Sequence, residues 1–216
     1  MPKLGNILFY NKTFLTLPRR EAGGQTHRSP LNLKSVDLAK QEQMQPSFLR
    51  MNPQHTVPTM DDNGFYLSES RAIITYLANK YGKHKNYLYP KDPERRGVID
   101  QRLYFDMGTL FQRFAKLKKL EEAFKFFDDM LKGSVYAAGD RITVADAALA
   151  STVSTIEAVG VIDVGKYPNV SRWYRNVKNA IPDYENTNQK GALAFNEFLV
   201  VVAKMEKLSV IKSTPT

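Results

Sequence analysis

The strand patterns of this sequence stop before residue 94, and this change of periodicity constrains the fold more than any other feature. Residues 4–10 form a short apolar run typical of a buried strand, and residues 31–37 begin with two-residue alternation. From Glu94 onward apolar residues recur at helical spacings instead. The intervening residues 83–93 are polar and contain two prolines, which indicates a linker. The sequence therefore predicts an α/β N-terminal domain over residues 1–82, a linker over residues 83–93 and an all-α domain over residues 94–216.

A β-hairpin and a helix are predicted near the end of the first domain. Thr56–Met60 and Phe65–Leu67 flank the four residues Asp61–Gly64, which end in Asn-Gly, the strongest short hairpin signal. Ser68 and Ser70 then precede an amphipathic run over residues 71–80 that ends at Gly82. A two-stranded hairpin followed directly by a helix is expected here.

Helix signals dominate the second domain. Amphipathic periodicity predicts helices over residues 95–116, 118–131 and 191–206. Thr143 followed three residues later by Asp146 is a capping-box pattern, which predicts a helix start. Pro168 occupies the position of a first helical turn, and the helix is expected to continue through residues 171–180.

Composition excludes several classes of function. The chain has no cysteine, and its three histidines are far apart in sequence, so neither a metal site nor a metal cofactor is expected. No stretch approaches the roughly 18 apolar residues of a membrane span, and no secretory signal is recognisable, so a cytoplasmic protein is expected. The net charge is +9, but +5 of it lies in the first fifty residues, where no regular element would present a basic face. Nucleic acid is therefore not an expected partner.

Several ordered blocks carry a resemblance to a known family. They are MNPQHTVPTMDDNGFYLSESRAIITYLANKYG, YPKDPERRGVIDQRLYFDMGTLFQRF, AAGDRITVADAALASTVST and YPNVSRWYRNVK. Together they resemble insect cytosolic glutathione transferases of the delta/epsilon kind. The resemblance implies a thioredoxin-like first domain, a helical second domain and a homodimer. It also implies conjugation of glutathione, as co-substrate, to hydrophobic electrophiles in detoxification, with no other cofactor.

The resemblance assigns roles around glutathione. Val57-Pro58 resembles the cis-proline turn whose Val57 backbone pairs with the cysteinyl backbone of glutathione. The N–H groups at the start of the helix and the Ser70 hydroxyl would hold the γ-glutamyl carboxylate, while Glu69 takes its amino group and Arg71 adds a charge-assisted contact. Outside this context each residue also has a purely structural interpretation, as a turn residue, a helix cap or a solvated charge.

Four further positions follow from the same resemblance. His55 resembles the histidine that meets the glycyl end of glutathione. Gln43 stands where the family has a histidine, and glutamine donates hydrogen bonds without carrying charge. Phe111 and Phe114 resemble the aromatic wall of the electrophile pocket, although aromatic residues on a helix face also form cores. The connection that follows Phe114 is shorter than in the family, which is expected to alter the pocket roof and the dimer contact.

The catalytic segment departs from the family pattern. The family has a serine after its first strand that donates to the glutathione sulfur, but here Pro18 and Gly23-Gly24 interrupt the expected helix and the serine is missing. In the printed sequence Thr13 is the nearest hydroxyl and is the candidate catalytic residue. Alternatively, a one-base frame shift across residues 14–29 would encode family-like residues at both of its ends. Both explanations remain open at the level of sequence.

Three functions are compatible with these features. The leading interpretation is a glutathione S-transferase. The alternative is a catalytically impaired binder of glutathione or hydrophobic ligands that lacks the thiol-activating serine. A partner-binding homologue, like the transferase-like domains fused to translation factors, is the third.

Overall fold

The N-terminal part of the chain forms a four-stranded sheet. The structure is a computed structural model that describes residues 6–10, 32–82, 87–114 and 116–197. Strands β1 (Asn6–Tyr10) and β2 (Asn32–Ser35) are parallel, whereas β3 (Thr59–Asp62) pairs antiparallel with both β1 and β4 (Phe65–Ser68). The strand order is β2-β1-β3-β4. The two strands expected from residues 4–10 and 31–37 are confirmed, with shorter bounds.

The hairpin is present, but its predicted bounds are wrong. Asp61 and Asp62 belong to β3, so the turn is the two residues Asn63-Gly64, with φ angles of 55° and 89°. Two consecutive positive φ angles define the type I′ turn that Asn-Gly favours, because its twist matches that of the flanking strands. The Asp61 carboxylate also accepts a hydrogen bond from the Gly64 N–H at 2.8 Å. The side chain that precedes the turn therefore stabilises the tighter connection.

Two helices complete the sheet domain. Between β2 and β3 lie a 3-10 helix at Glu42–Met44 and a single turn, α1 (Pro46–Leu49). Helix α2 (Ser70–Tyr81) follows β4 and confirms the predicted amphipathic helix. It buries Ile73 and Leu77 against Met60 of β3, which forms a small core beneath the sheet.

The first helix of the second domain differs from its prediction. Helix α3 (Pro93–Phe105) is regular, with the Asp92 side chain accepting from the Arg95 N–H. A π-turn over Asp106–Leu110 and a 3-10 turn over Phe111–Arg113 then replace the α-helix expected through residue 116. The wider turn contains Gly108, a poor helix former, and begins at the buried Asp106.

Three further helices surround the main core. They are α4 (Leu117–Met130), α5 (Val144–Val159) and α6 (Pro168–Ala180). A 3-10 turn at Val164–Lys166 precedes α6, and a π-turn at Glu185–Gln189 leads into a helical segment over residues 190–197. The start of α6 at Pro168 confirms the prediction, and the helix expected over residues 191–206 is described only to residue 197.

A second apolar cluster joins the two parts of the molecule. Ile74 and Ala78 of α2 pack with Ile99 and Leu103 of α3 and with the first turns of α5. Leu88, in the segment predicted as a linker, also packs against this cluster, and its carbonyl accepts a hydrogen bond from the Val144 N–H at 3.0 Å. The sheet domain and the helical domain therefore share buried surface. No helix in the described ranges is both long and apolar enough to cross a bilayer.

Candidate functional site

A buried asparagine shapes the loop that precedes β3. The Asn52 amide donates to the Thr56 carbonyl at 3.0 Å and to the Thr59 hydroxyl at 2.9 Å, and its oxygen accepts from the Gln54 N–H at 3.1 Å. The loop it braces contains His55, which is exposed at a positive φ of 47°, and the Val57-Pro58 peptide bond, which is cis. The structure thus presents His55 and Val57 on one short, internally bonded loop. The role of Asn52 was not recognised in the sequence.

The start of α2 follows directly from the hairpin. Glu69 is exposed with φ 67° and ψ 108°, and the helix begins at Ser70. The first N–H groups of an α-helix have no partner within the helix, and the helix dipole places partial positive charge there. This end of α2 is therefore an anion-binding geometry of the kind expected from the sequence. The Ser70 hydroxyl lies at the same end.

Arg71 is anchored across the domain boundary. Its Nε donates to Asp106 Oδ2 at 3.0 Å, its Nη2 pairs with the same oxygen and lies 3.5 Å from the Thr152 hydroxyl, and its Nη1 donates to the Ser70 hydroxyl at 2.7 Å. A guanidinium has five N–H donors, and these bonds use four of them. Among the contacts of the described residues, one N–H of Nη1, beside Ser70, is therefore not used.

Asp106 is the main residue missed by sequence reasoning. It is fully buried at the first position of the π-turn, 35 residues from Arg71 in sequence. Burial raises the pKa of the Asp106 carboxyl, and the Arg71 guanidinium and Thr152 hydroxyl oppose that shift. A buried carboxylate of this kind holds the guanidinium in place more than it adds net stability. Only the contact across domains reveals this role, since no local sequence pattern marks it.

The remaining candidates occupy different surroundings. Gln43 lies in the 3-10 helix at Glu42–Met44, and its Oε1 atom is buried with no hydrogen-bond partner among the described residues. Phe111 is exposed, whereas Phe114 is half-buried against the main core of the helical domain. The structure thus gives Phe114 a core role and leaves Phe111 open to solvent. Thr13 lies outside the described residues.

The described ranges contain no group of three or more His, Cys, Asp or Glu side chains placed to bind a metal ion.

Comparisons with known proteins point to one family. The profile described as Glutathione S-transferase, N-terminal domain, matches residues 26–85, and the profile described as Glutathione S-transferase, C-terminal domain, matches residues 112–180. A solved delta-class glutathione transferase of Nilaparvata lugens is 47% identical, covering 78% of this chain and 85% of that chain, with a TM-score of 0.74. The chain belongs to the glutathione transferase family.

Other glutathione transferases of insects are similar over more of the chain. One from Bombyx mori is 35% identical, covering 92% of this chain and 99% of that chain, with a TM-score of 0.80. An epsilon-class enzyme from Musca domestica is 30% identical, covering 89% and 97% of the two chains, with a TM-score of 0.75. Family membership supports the conjugation of glutathione by this protein as a glutathione S-transferase. No finding specifically favours the impaired-binder alternative.

Proposed function

We propose that this glutathione transferase holds the γ-glutamyl end of glutathione at Glu69, Ser70 and Arg71. The observation that carries the proposal is the anchored guanidinium, which donates to the Ser70 hydroxyl at the N-terminus of α2. The γ-glutamyl carboxylate would accept from the Ser70 hydroxyl, the first N–H groups of α2 and the remaining Nη1 donor of Arg71. Glu69, exposed at the mouth of this site, would accept from the γ-glutamyl amine.

The rest of glutathione would extend along the loop braced by Asn52. The Val57 backbone would pair with the cysteinyl unit, next to cis-Pro58, as an added strand pairs with a sheet edge. His55 is exposed on that loop and would meet the glycyl carboxylate. Gln43 lies in the 3-10 helix at Glu42–Met44, and its side-chain amide would hydrogen-bond a carboxylate of glutathione. The buried Oε1 atom of Gln43 has no partner among the described residues.

Conjugation requires the thiolate of glutathione. Its sulfur attacks an electrophilic carbon, a C–S bond forms, and a leaving group such as chloride departs. Lowering the thiol pKa by about two units corresponds to roughly 2.7 kcal/mol, within reach of one hydrogen bond to a charged acceptor together with a helix dipole. Thr13 is the proposed donor of that hydrogen bond, and the electrophile would lie against Phe111 with Phe114 behind it.

The cellular setting and assembly are part of the proposal. The family resemblance implies a cytoplasmic homodimer that takes glutathione and small hydrophobic electrophiles as its partners. Sedimentation of the purified protein would determine its oligomeric state, with a dimer as the expected result.

Glutathione conjugation to an activated chloronitrobenzene tests the function. We expect turnover by the wild type, loss of turnover in Thr13→Ala, and wild-type activity in the matched variant Thr16→Ala. A folded protein that is retained on immobilised glutathione but shows no turnover would support the impaired-binder alternative. A folded protein that neither binds nor turns over glutathione would contradict the proposal.

If Thr13→Ala keeps full turnover, Thr13 is not the thiol-activating residue. Sequencing of the transcript then decides whether residues 14–29 are encoded in the printed frame.

A further inference from the structure

A small cavity lies between α2 and α5 and shares Ser70 and Arg71 with the proposed γ-glutamyl site. Its volume is about 30 Å³. It is lined by Ser70, Arg71 and Ile74 of α2, by Ser151 of α5, and by Tyr184 and Asn188 at the second π-turn. A space of 10–15 Å³ accommodates one water molecule, so this cavity has room for one or two. We name it the seam cavity.

In the described part of the chain, Ser151 differs from the other residues that line the seam cavity, because its buried hydroxyl is unpaired. Its side chain is buried, with 7% of the residue exposed, and its hydroxyl has no hydrogen-bond partner among the described residues. The neighbouring Ser154 and Thr155 hydroxyls behave differently, since both donate to the Ser151 carbonyl at 2.9 Å. Local bonding of that kind is what serines and threonines inside helices normally do. Leaving a buried hydroxyl unpaired is destabilising, so we expect Ser151 to have a hydrogen-bond partner in the cavity that it lines.

The cavity offers the polar groups that a water molecule needs. A buried water makes two to four hydrogen bonds. The Ser70 hydroxyl accepts from Arg71 Nη1 at 2.7 Å and keeps a second lone pair that can accept from such a water. Asn188 uses both N–H bonds of its amide, toward the Ser154 hydroxyl at 2.8 Å and the Tyr184 hydroxyl at 2.7 Å, which leaves its carboxamide oxygen as an acceptor. The residues that carry these groups all line the seam cavity, as Ser151 does.

We propose that Ser151 is a positioning residue for glutathione, acting through water held in the seam cavity. The water would accept from the Ser151 hydroxyl and donate to the Ser70 hydroxyl, which would keep Ser70 and its partner Arg71 directed at the γ-glutamyl carboxylate. The Asn188 amide would orient the same water from the second π-turn, so the C-terminal part of the helical domain would also support the site. This inference rests on the proposed function, because it assigns Ser151 a role at that same γ-glutamyl site.

Substitution of Ser151 tests the inference through the Michaelis constants. In Ser151→Ala we expect KM for glutathione to rise about fivefold, as for the loss of one water-mediated hydrogen bond, with KM for the chloronitrobenzene unchanged. Ser151→Val fills the cavity as well and should raise KM for glutathione at least as much. The matched control is Thr155→Val, which removes a buried hydroxyl from the same helix without touching the cavity and should leave both constants at their wild-type values.

Two results would overturn the inference. One is a KM for glutathione in Ser151→Ala and Ser151→Val equal to that of the wild type. The other is an equal rise in Thr155→Val, which would reduce the effect to a general loosening of α5.

Equilibrium dialysis of glutathione with the wild type separates this inference from the proposed function. A wild type that does not bind glutathione contradicts the proposed function itself. A wild type that binds, with Ser151 variants that bind equally well, contradicts only the role of Ser151.

Discussion

At the residue scale, the proposed glutathione site rests on the contact between Arg71 and Asp106. The Asp106 side chain is fully buried and the Arg71 side chain is 21% exposed. Removing the charge of Asp106 leaves the half-buried Arg71 guanidinium without its counter-charge, and the loss of one partner of a fully buried pair typically costs about 3–5 kcal/mol. We expect Asp106→Asn to lower the free energy of unfolding by about 3 kcal/mol and to raise KM for glutathione about tenfold. Steady-state kinetics and denaturant unfolding measure the two effects.

Glu122→Gln is the matched control for that variant. Glu122 pairs with Arg113 at 2.9 Å, but its side chain is 56% exposed, and exposed ion pairs contribute at most about 1 kcal/mol. An Asp106→Asn variant with the KM and stability of Glu122→Gln would show that the buried pair does not position Arg71.

The ionised carboxylate of Asp62 is expected to make the stability of the fold depend on pH. Burial opposes its ionisation, but hydrogen bonds from Lys80 at 2.6 Å, Tyr76 at 2.6 Å and Tyr81 at 2.8 Å lower the pKa of the Asp62 carboxyl to about 2. Its pKa in the unfolded chain is about 3.9, so the ionised group contributes about 2 kcal/mol of stability above pH 4. That contribution is lost as the pH falls from about 4 toward 2.

Asp62→Asn should therefore be less stable than the wild type at pH 7, and the gap should narrow as the pH falls toward 2. Urea unfolding at a series of pH values measures this gap. The control is Asp129→Asn, which removes an exposed pair with Lys132 and should match the wild type throughout. A gap between Asp62→Asn and the wild type that stays constant down to pH 2 would contradict the assignment.

The residues of the site divide into those that a sequence reveals and those that it does not. Arg71 was predictable because it stands in a local motif at a helix start. Its partner Asp106 and the cavity residue Ser151 were not, since each acts through packing with residues more than 30 positions away. Asn52 likewise gave no signal, because an asparagine before a proline is typical of many turns.

At the scale of elements, the helix N-terminus at Thr143 shows which features are encoded locally. The capping box predicted from two residues is present, with the Asp146 carboxylate accepting from the Thr143 N–H at 2.8 Å. The same carboxylate accepts from the Ala137 N–H at 2.7 Å and from Trp173 Nε1 at 2.8 Å, in α6. The sequence predicts the cap but not its second use as a link between helices.

Asp146→Ala should therefore lower the free energy of unfolding by more than the loss of an ordinary helix cap does. The cap alone contributes about 1 kcal/mol, but the substitution also leaves buried N–H donors of Ala137 and Trp173 unpaired. We expect a loss of about 3–5 kcal/mol. Trp173 is the only tryptophan of the chain, so its fluorescence reports the unfolding transition directly. A loss near 1 kcal/mol, as expected for capping alone, would contradict this role of Asp146.

The break after α3 shows why the other element bounds were missed. Apolar periodicity continues through Leu110 and Phe114, and it predicted one helix through residue 116. In the structure a π-turn begins at Asp106, whose carboxylate accepts a hydrogen bond from Arg71 of the other domain. Apolar periodicity reflects only residues close together in sequence, so it does not predict this break. The hairpin bounds were missed for a different reason, since Asp61 and Asp62 are poor strand formers held in β3 by pairing with β1 and β4.

For the whole molecule, the shared cluster around Ile74 predicts that both domains unfold together. Ile74 is buried between α2, α3 and α5, whereas its neighbour Ile73 packs under the sheet with Met60 and Leu77. Replacing either isoleucine by alanine should cost about 2–5 kcal/mol. If the domains unfold as one unit, both variants shift the fluorescence transition of Trp173, which lies in the helical domain, by similar amounts.

The comparison of the two variants separates cooperative from independent unfolding. Under cooperative unfolding, circular dichroism and Trp173 fluorescence give one coincident transition for Ile73→Ala, although its cavity lies wholly within the sheet domain. Under independent unfolding, Ile73→Ala shifts only part of the dichroism and leaves the Trp173 transition at its wild-type midpoint. Because Ser70 and Arg71 lie on the same helix as both isoleucines, the cooperative result would also mean that the proposed glutathione site exists only while both domains are folded.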